Sequence, residues 1–177
     1  CVSQAGLDSP FTYIIVDQQT ATRTCIHTPI QEELDPQADV PSDVLDGVSL
    51  VHMDSRSTLA AIEVARMANE AGVGVSLDIE KERPHVEGLL PLADYIFTNS
   101  RYPSIFSPDS ESLLHGMAAL LEHGRAKLVA TTLGEQGSVL MRRESGPVAD
   151  HPDVSVEAFG AGDGEYQVVR CKAHTPA

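Results

Sequence analysis

The chain has 177 residues, 42% hydrophobic and 21% charged, which suits one soluble domain with a buried core and argues against disorder. Its 26 acidic and 12 basic residues leave a net charge of −14, and no basic stripe offers the counterion displacement that nucleic acid or an anionic membrane demands. No apolar run approaches the roughly 18 residues that span a bilayer.

Cys1 rather than Met opens the chain, which reads as a missing beginning. Cys1, Cys25 and Cys171 are far apart and form no CxxC pair, so a reducing compartment is expected. That compartment is the cytoplasm, or a plastid if an address precedes Cys1. Phe11 to Asp17 (FTYIIVD) and Thr22 to His27 (TRTCIH) are rich in β-branched and aromatic residues, and the polar link QQTA between them predicts a β-hairpin. Gln31 to Asp46 is acidic and contains proline, the pattern of a surface loop or short helix.

From Val48 the pattern becomes an alternation of strands and helices. Strands are predicted over Val48–Met53, Val73–Ile79, Tyr95–Thr98 and Lys127–Thr132. Thr58–Ala71 is an Ala-rich helix with Ser57 as N-cap and Gly72 as C-cap, His85–Leu92 a short helix, and Ser110–His123 a helix with Leu113, Leu114, Met117, Leu120 and Leu121 on one face. Ser138–Met141 with Pro147–Ala149 suggests a second hairpin, and Val154–Val156 leads into a glycine-rich turn. Repeated strand–helix–strand units imply an α/β fold, a mostly parallel sheet flanked by helices in three layers, with ligands at the carboxyl ends of its strands. The first hairpin stands outside that rhythm as a flap.

The most informative segment is VSVEAFGAGDGEY, in which a strand runs into Gly160, Ala161 and Gly162. Glycines let the backbone turn sharply against a ligand. If a helix begins at Asp163, its unpaired N–H groups form an anion site. An aspartate there can accept the proton of an attacking hydroxyl. An anion site beside a base suits phosphoryl transfer to an alcohol. A plain tight loop is the competing reading. A dinucleotide motif fails because Glu165 stands where GxGxxG needs glycine, and a Walker motif fails because no GK[ST] follows. The histidines have no HExxH spacing, and no GxSxG nucleophile elbow is present.

GAGD resembles the carboxy-terminal signature of the ribokinase/PfkB carbohydrate kinase family, usually D-T-x-G-A-G-D. Thr131-Thr132-Leu133-Gly134-Glu135-Gln136-Gly137-Ser138 is similar to the family's T-L-G-x-x-G segment. The opening strands resemble the lid of its ketohexokinase-like branch, and VHMDSR the strand end that approaches lid and substrate there. The resemblance spans about residues 10 to 163 and implies ATP-dependent phosphorylation of a sugar or sugar-like alcohol. It makes Asp163 the base and gives the amides of Gly160, Ala161 and Gly162 the phosphoryl charge. Thr132, Gly134 and Gly137 then line the nucleotide. Magnesium arrives on ATP, with no direct protein ligand. Arg23, Asp54 and Arg56 belong to lid and substrate, although edge protection for Arg23 and solvated loop charges for the other two serve as well. Asp78 and Glu80 could hold a cation or simply end a strand. The lid implies pairing with a second copy.

The departures are specific. Glu157 and Ala158 replace the family's Asp and Thr, which argues against potassium activation. Asn99 echoes an N-x-x-E motif whose Glu is here Tyr102. After Asp163 the chain has Gly164, Glu165 and a polar tail in place of a long apolar helix. The resulting division is a lid hairpin over 1–30 and an incomplete kinase core over 31–177. A non-catalytic relative that binds nucleotide or a partner is the alternative.

Overall fold

The β-branched residues at the start of the chain form the expected hairpin, β1 (Phe11–Asp17) paired with β2 (Thr22–Thr28), in a computed structural model that describes residues 6, 8–30, 32–107 and 112–173. Asp17 Oδ1 accepts the N–H groups of Gln19 and Thr20 across the turn. The hairpin is a two-stranded sheet of its own, and all of β1 is exposed. Cys1 lies outside the described residues.

A second sheet of seven strands contains the rest. Its spatial order is β3 (Leu50–Asp54), β4 (Gly74–Ile79), β5 (Tyr95–Asn99), β6 (Leu128–Thr132), β7 (Ser138–Arg142), β9 (Gly164–Cys171) and β8 (Val154–Ala161). Strands β3 to β6 are parallel; β7, β9 and β8 are each antiparallel to the strand before. Thus β3, β4, β5, β6 and β9 run one way and only β7 and β8 the other, so the mostly parallel α/β sheet is as expected.

Helix α1 (Thr58–Ala71) matches its predicted bounds. Gly72 ends it at φ 71, donating its N–H to Ala68 and Asn69 carbonyls, the left-handed cap that glycine adopts without a Cβ penalty. Ser57 stands at the N-cap but at φ 47, and its hydroxyl accepts the Leu34 N–H instead of capping the helix. The short α2 (Val86–Leu89) runs into a 3-10 turn, and α3 (Leu113–Glu122) forms the leucine-faced helix; Ser110 and Glu111 lie outside the described residues.

Directly paired residues share a face of a sheet. The row Leu77–Ile96–Val129–Met141–Val168 points at the helices and is buried with Ile62, Ala65, Met117 and Leu121 in one core. The row Asp78–Phe97–Ala130–Leu140–Val169–Val156 points away. On that side Leu50, Phe97 and Val156 are 50%, 42% and 48% exposed, so among the described residues the helices cover one face only and the third layer is not present.

Two local expectations are corrected. Pro147–Ala149 is no strand; β7 instead pairs with β6 and β9. No helix begins at Asp163. Gly164 opens β9, because Tyr166 and Val168 alternate into the core and Tyr166 donates its hydroxyl to Glu122 at 2.7 Å. The turn is a two-residue hairpin loop, Gly162-Asp163, between the paired Ala161 and Gly164. Gly162 has φ 58, as a II′ turn requires of its first loop residue.

Candidate functional site

Strands β3 to β6 end on a common edge at Asp54, Ile79, Asn99 and Thr132, and the chain turns there into four adjacent loops. A cleft of about 240 Å³ opens between the first two, lined by Asp54, Ser55, Arg56, Asp78, Glu80, Lys81 and Arg83. Three acids and three bases line it, so it can meet the charges of a phosphorylated ligand and the hydroxyls of a polyol at once. Asp54 is turned back on its own loop. It accepts the Arg56 N–H at 2.9 Å and pairs with the Arg56 guanidinium at 3.2 Å. Both side chains are more than half exposed, so this pair contributes little to stability and is free to re-pair.

Around the uncovered face the edge continues into a shallow cavity of about 530 Å³, lined among others by His52, Ser76, Asp78, Phe97, Asn99 and Thr132. His52 hydrogen-bonds Ser76 at 3.0 Å and meets Phe97 edge-on. Asn99 is committed to the scaffold. Its Oδ1 accepts the Arg101 and Tyr102 N–H groups and its Nδ2 donates to the Glu80 carbonyl, all at 3.0 Å. That arrangement locks two loops together and leaves its amide little to offer a metal or phosphate.

The TLGEQG segment is a tight turn beside Thr132, closed by Leu133 N–H to Gly137 O and Gly137 N–H to Gly134 O. Gly134 and Gly137 have φ 59 and 91. A Cβ on Gly137 would lie 1.9 Å from the Cys171 carbonyl oxygen and 2.8 Å from Ala173 N. The close approach this glycine allows is therefore to the end of β9.

Asp163 is elsewhere. Thr132 is level with Ser138, and Ser138 with Cys171. From Cys171 back to Asp163 the chain descends β9 at about 3.3 Å per residue, which sets Asp163 on the order of 26 Å below that edge. It is exposed at the loop tip, and the backbones of Gly160 and Ala161 pair with Glu165 and Gly164. The structure thus brings together Asp54, Arg56, Asp78, Glu80, Asn99, Thr132 and Gly134 on one edge. Asp163, Gly160, Ala161 and Gly162 stand at the opposite end. Arg23 is on the separate hairpin, opposite Val16. Glu157 pairs with Arg170 at 2.9 Å. Lys81 and Arg83, which the sequence reading passed over, line the cleft; the signal was their place just after a parallel strand.

A family model described as pfkB family carbohydrate kinase matches residues 1–164. No curated protein matches the chain. Among solved structures it is similar to Sa239 (TM-score 0.67, 21% identity, covering 90% of this chain and 52% of that one). It is also similar to fructokinase from Xylella fastidiosa (0.64, 18%, 84% and 52%) and to ribokinase from Thermotoga maritima (0.54, 18%, 82% and 50%). The chain therefore spans about half the length of the structures it resembles, and at these identities the likeness is one of fold.

Proposed function

Because the chain belongs to the pfkB family of carbohydrate kinases, we propose that it serves ATP-dependent phosphoryl transfer to a hydroxyl of a sugar or sugar-like alcohol. The observation that carries this reading is the common edge of β3 to β6, which carries the mixed-charge cleft at β3 and β4 and the TLGEQG turn after β6. In this reading the Thr132–Gly137 turn faces the nucleotide, Asp54 and Arg56 face the sugar, and the hairpin carrying Arg23 is a lid over 1–30 above a core formed by 31–177. A solved fructokinase from Xylella fastidiosa is described with bound ATP, which favours the same nucleotide here. The cleft's Arg56, Lys81 and Arg83 can meet nucleotide phosphates, so its lining suits a magnesium ion that those phosphates and water would hold and whose charge would ease the transfer. Cys25 and Cys171 are free thiols, in keeping with a cytoplasmic location. The hairpin, exposed along β1, is the surface we assign to a second copy.

In the chemistry, the sugar hydroxyl oxygen forms a bond to the γ-phosphorus as the bond to the bridging oxygen breaks, and the hydroxyl proton passes to a carboxylate. Asp163 is the carboxylate the motif assigns, yet it lies at the wrong end of the sheet. That observation favours a second reading, in which this chain in its observed form binds nucleotide without turnover. Calorimetry with ATP and magnesium, paired with an ADP-release assay over ketoses and pentoses, separates the two. Sugar-dependent ADP release that disappears in a folded Asp163→Asn variant supports catalysis. Binding without release supports the second reading, and an Asn variant with full turnover removes Asp163 as the base.

A further inference from the structure

A net charge of −14 repels anions from most of the surface. Against that background, four of the 12 basic residues, Arg125, Lys127, Arg142 and Arg143, line one cavity of about 510 Å³. It lies between the loop that leads into β6 and the loop that follows β7, and Glu144 is the one acid among its described lining residues. Strand β6 begins there at Leu128 and β7 ends there at Arg142. The cavity is therefore at the opposite end of both strands from Thr132 and the TLGEQG turn.

Two of the four cations build its walls. Arg143 donates to the carbonyls of Leu121, Gly124 and Ala126 and to Glu122 Oε1, which satisfies the end of α3 and pins the loop that follows it. Arg142 donates its Nε to Gln167 Oε1 and its Nη2 to the Gly146 carbonyl, both at 2.6 Å, and the same Gln167 oxygen accepts the Gly146 N–H at 3.2 Å. These bonds fold the 143–146 loop back on β7, so the cavity is formed before a ligand arrives. They also meet the Arg142 charge with an amide and carbonyls, not with a carboxylate. A Cβ on Gly146 would lie 3.0 Å from Arg142 Nη1, so glycine at that position leaves the guanidinium uncovered. The other two cations share one carboxylate. Arg125 and Lys127 approach Asp94 at 3.1 and 3.3 Å, and their side chains are 48% and 65% exposed while that of Asp94 is 2% exposed. Setting Asp94 and Glu122 against the four cations leaves two positive charges, which Glu144 reduces to one.

We propose that this cavity binds a phosphate dianion, free or as the head of a small phosphate monoester, at a site separate from the edge of β3 to β6. Guanidinium and ammonium groups around one dianion make charge-assisted hydrogen bonds to several of its oxygens. Ala126 and Leu128 add apolar surface on which the body of a monoester can rest. The site does not depend on the kinase reading, because none of its residues belongs to the cleft or to the TLGEQG turn.

Titration of the isotope-labelled chain with inorganic phosphate and with phenyl phosphate, each against sodium chloride at matched ionic strength, tests this through backbone amide shifts. Both phosphates should move the amides of Arg125 to Leu128 and of Glu144 to Gly146 along saturating curves, and chloride should not. Tighter binding of phenyl phosphate identifies a monoester as the occupant, and binding no tighter identifies the free ion. Lys127→Gln replaces a largely exposed side chain and should weaken phosphate binding by about fivefold. Glu144→Gln removes the opposing charge and should tighten it by about twofold. Curves that do not saturate, shifts confined to Arg56, Lys81 and Arg83, or affinities unchanged in both variants would overturn the proposal.

Discussion

Asp94 shows how one side chain can set the spacing of a sheet. Its side chain is 2% exposed and accepts the Val75 N–H at 3.0 Å, while Arg125 and Lys127 approach it at 3.1 and 3.3 Å. Its backbone joins the same strands, with its N–H donated to the Val75 carbonyl and its carbonyl accepting the Lys127 N–H. Burial pushes this carboxyl up, but the Val75 N–H and the two cations outweigh it and hold Asp94 below the ordinary value of 3.8. The folded state thus binds the proton less readily than the unfolded one. The stabilisation is present above the unfolded value and is lost as pH falls through the folded one. In urea titrations, Asp94→Asn should cost about 1–3 kcal/mol at neutral pH, because the Val75 N–H and two cations lose a charged acceptor. The deficit should shrink below about pH 4. An equal deficit at pH 7 and pH 3 would mean that shape, not charge, is what Asp94 supplies.

Among elements, α3 illustrates a conflict between local propensity and packing. Gly116 lies within the helix, where glycine costs about 1 kcal/mol relative to alanine. Yet a Cβ there would sit 2.2 Å from the Pro103 carbonyl oxygen, part of the 3-10 turn Tyr102–Phe106 on which α3 packs. The obstacle is backbone, which cannot swing aside as a side-chain tip can. Overpacking of this kind costs about 1–3 kcal/mol, so the clash wins. Gly116→Ala should lower the thermal midpoint by about 4 °C despite its better propensity. A raised midpoint would show that the turn yields. Elements governed by their own residues were legible from sequence, as α1, ended by Gly72, and the β1–β2 hairpin with its alternation illustrate. What escaped was β9. Gly162-Asp163 is a two-residue hairpin signal as good as any helix start, and Tyr166 and Val168 carry the alternation onward. The family-like motif drew attention to the wrong continuation. The site was legible by residue type but not by position, because which strand lies beside β7 is settled by non-local pairing. Nothing local at Asp163 says at which end of the sheet it will stand.

At the scale of the molecule, the charge is unevenly spread. Nearly all of the net −14 is carried by residues 31–177, since the hairpin from Phe11 to Thr28 contains only Asp17 and Arg23 as full charges and Asp8 is the one charge before it. Its Tyr13, Ile15 and Ile26 share one face and are 65%, 58% and 55% exposed. A lone two-stranded sheet is marginal in water, and a neutral apolar face on an acidic protein is where two copies can meet with least repulsion. Repulsion between the acidic cores should still oppose association at low ionic strength and be screened within about 8 Å at physiological salt. Sedimentation velocity should therefore find a dimer whose fraction rises both with protein concentration and with added sodium chloride. The double substitution Tyr13→Lys with Ile15→Lys should return it to monomer, with the far-UV spectrum of the core unchanged. If the wild type stays monomeric at high salt and tens of micromolar, or if the double variant sediments as the wild type does, the hairpin is not the meeting surface.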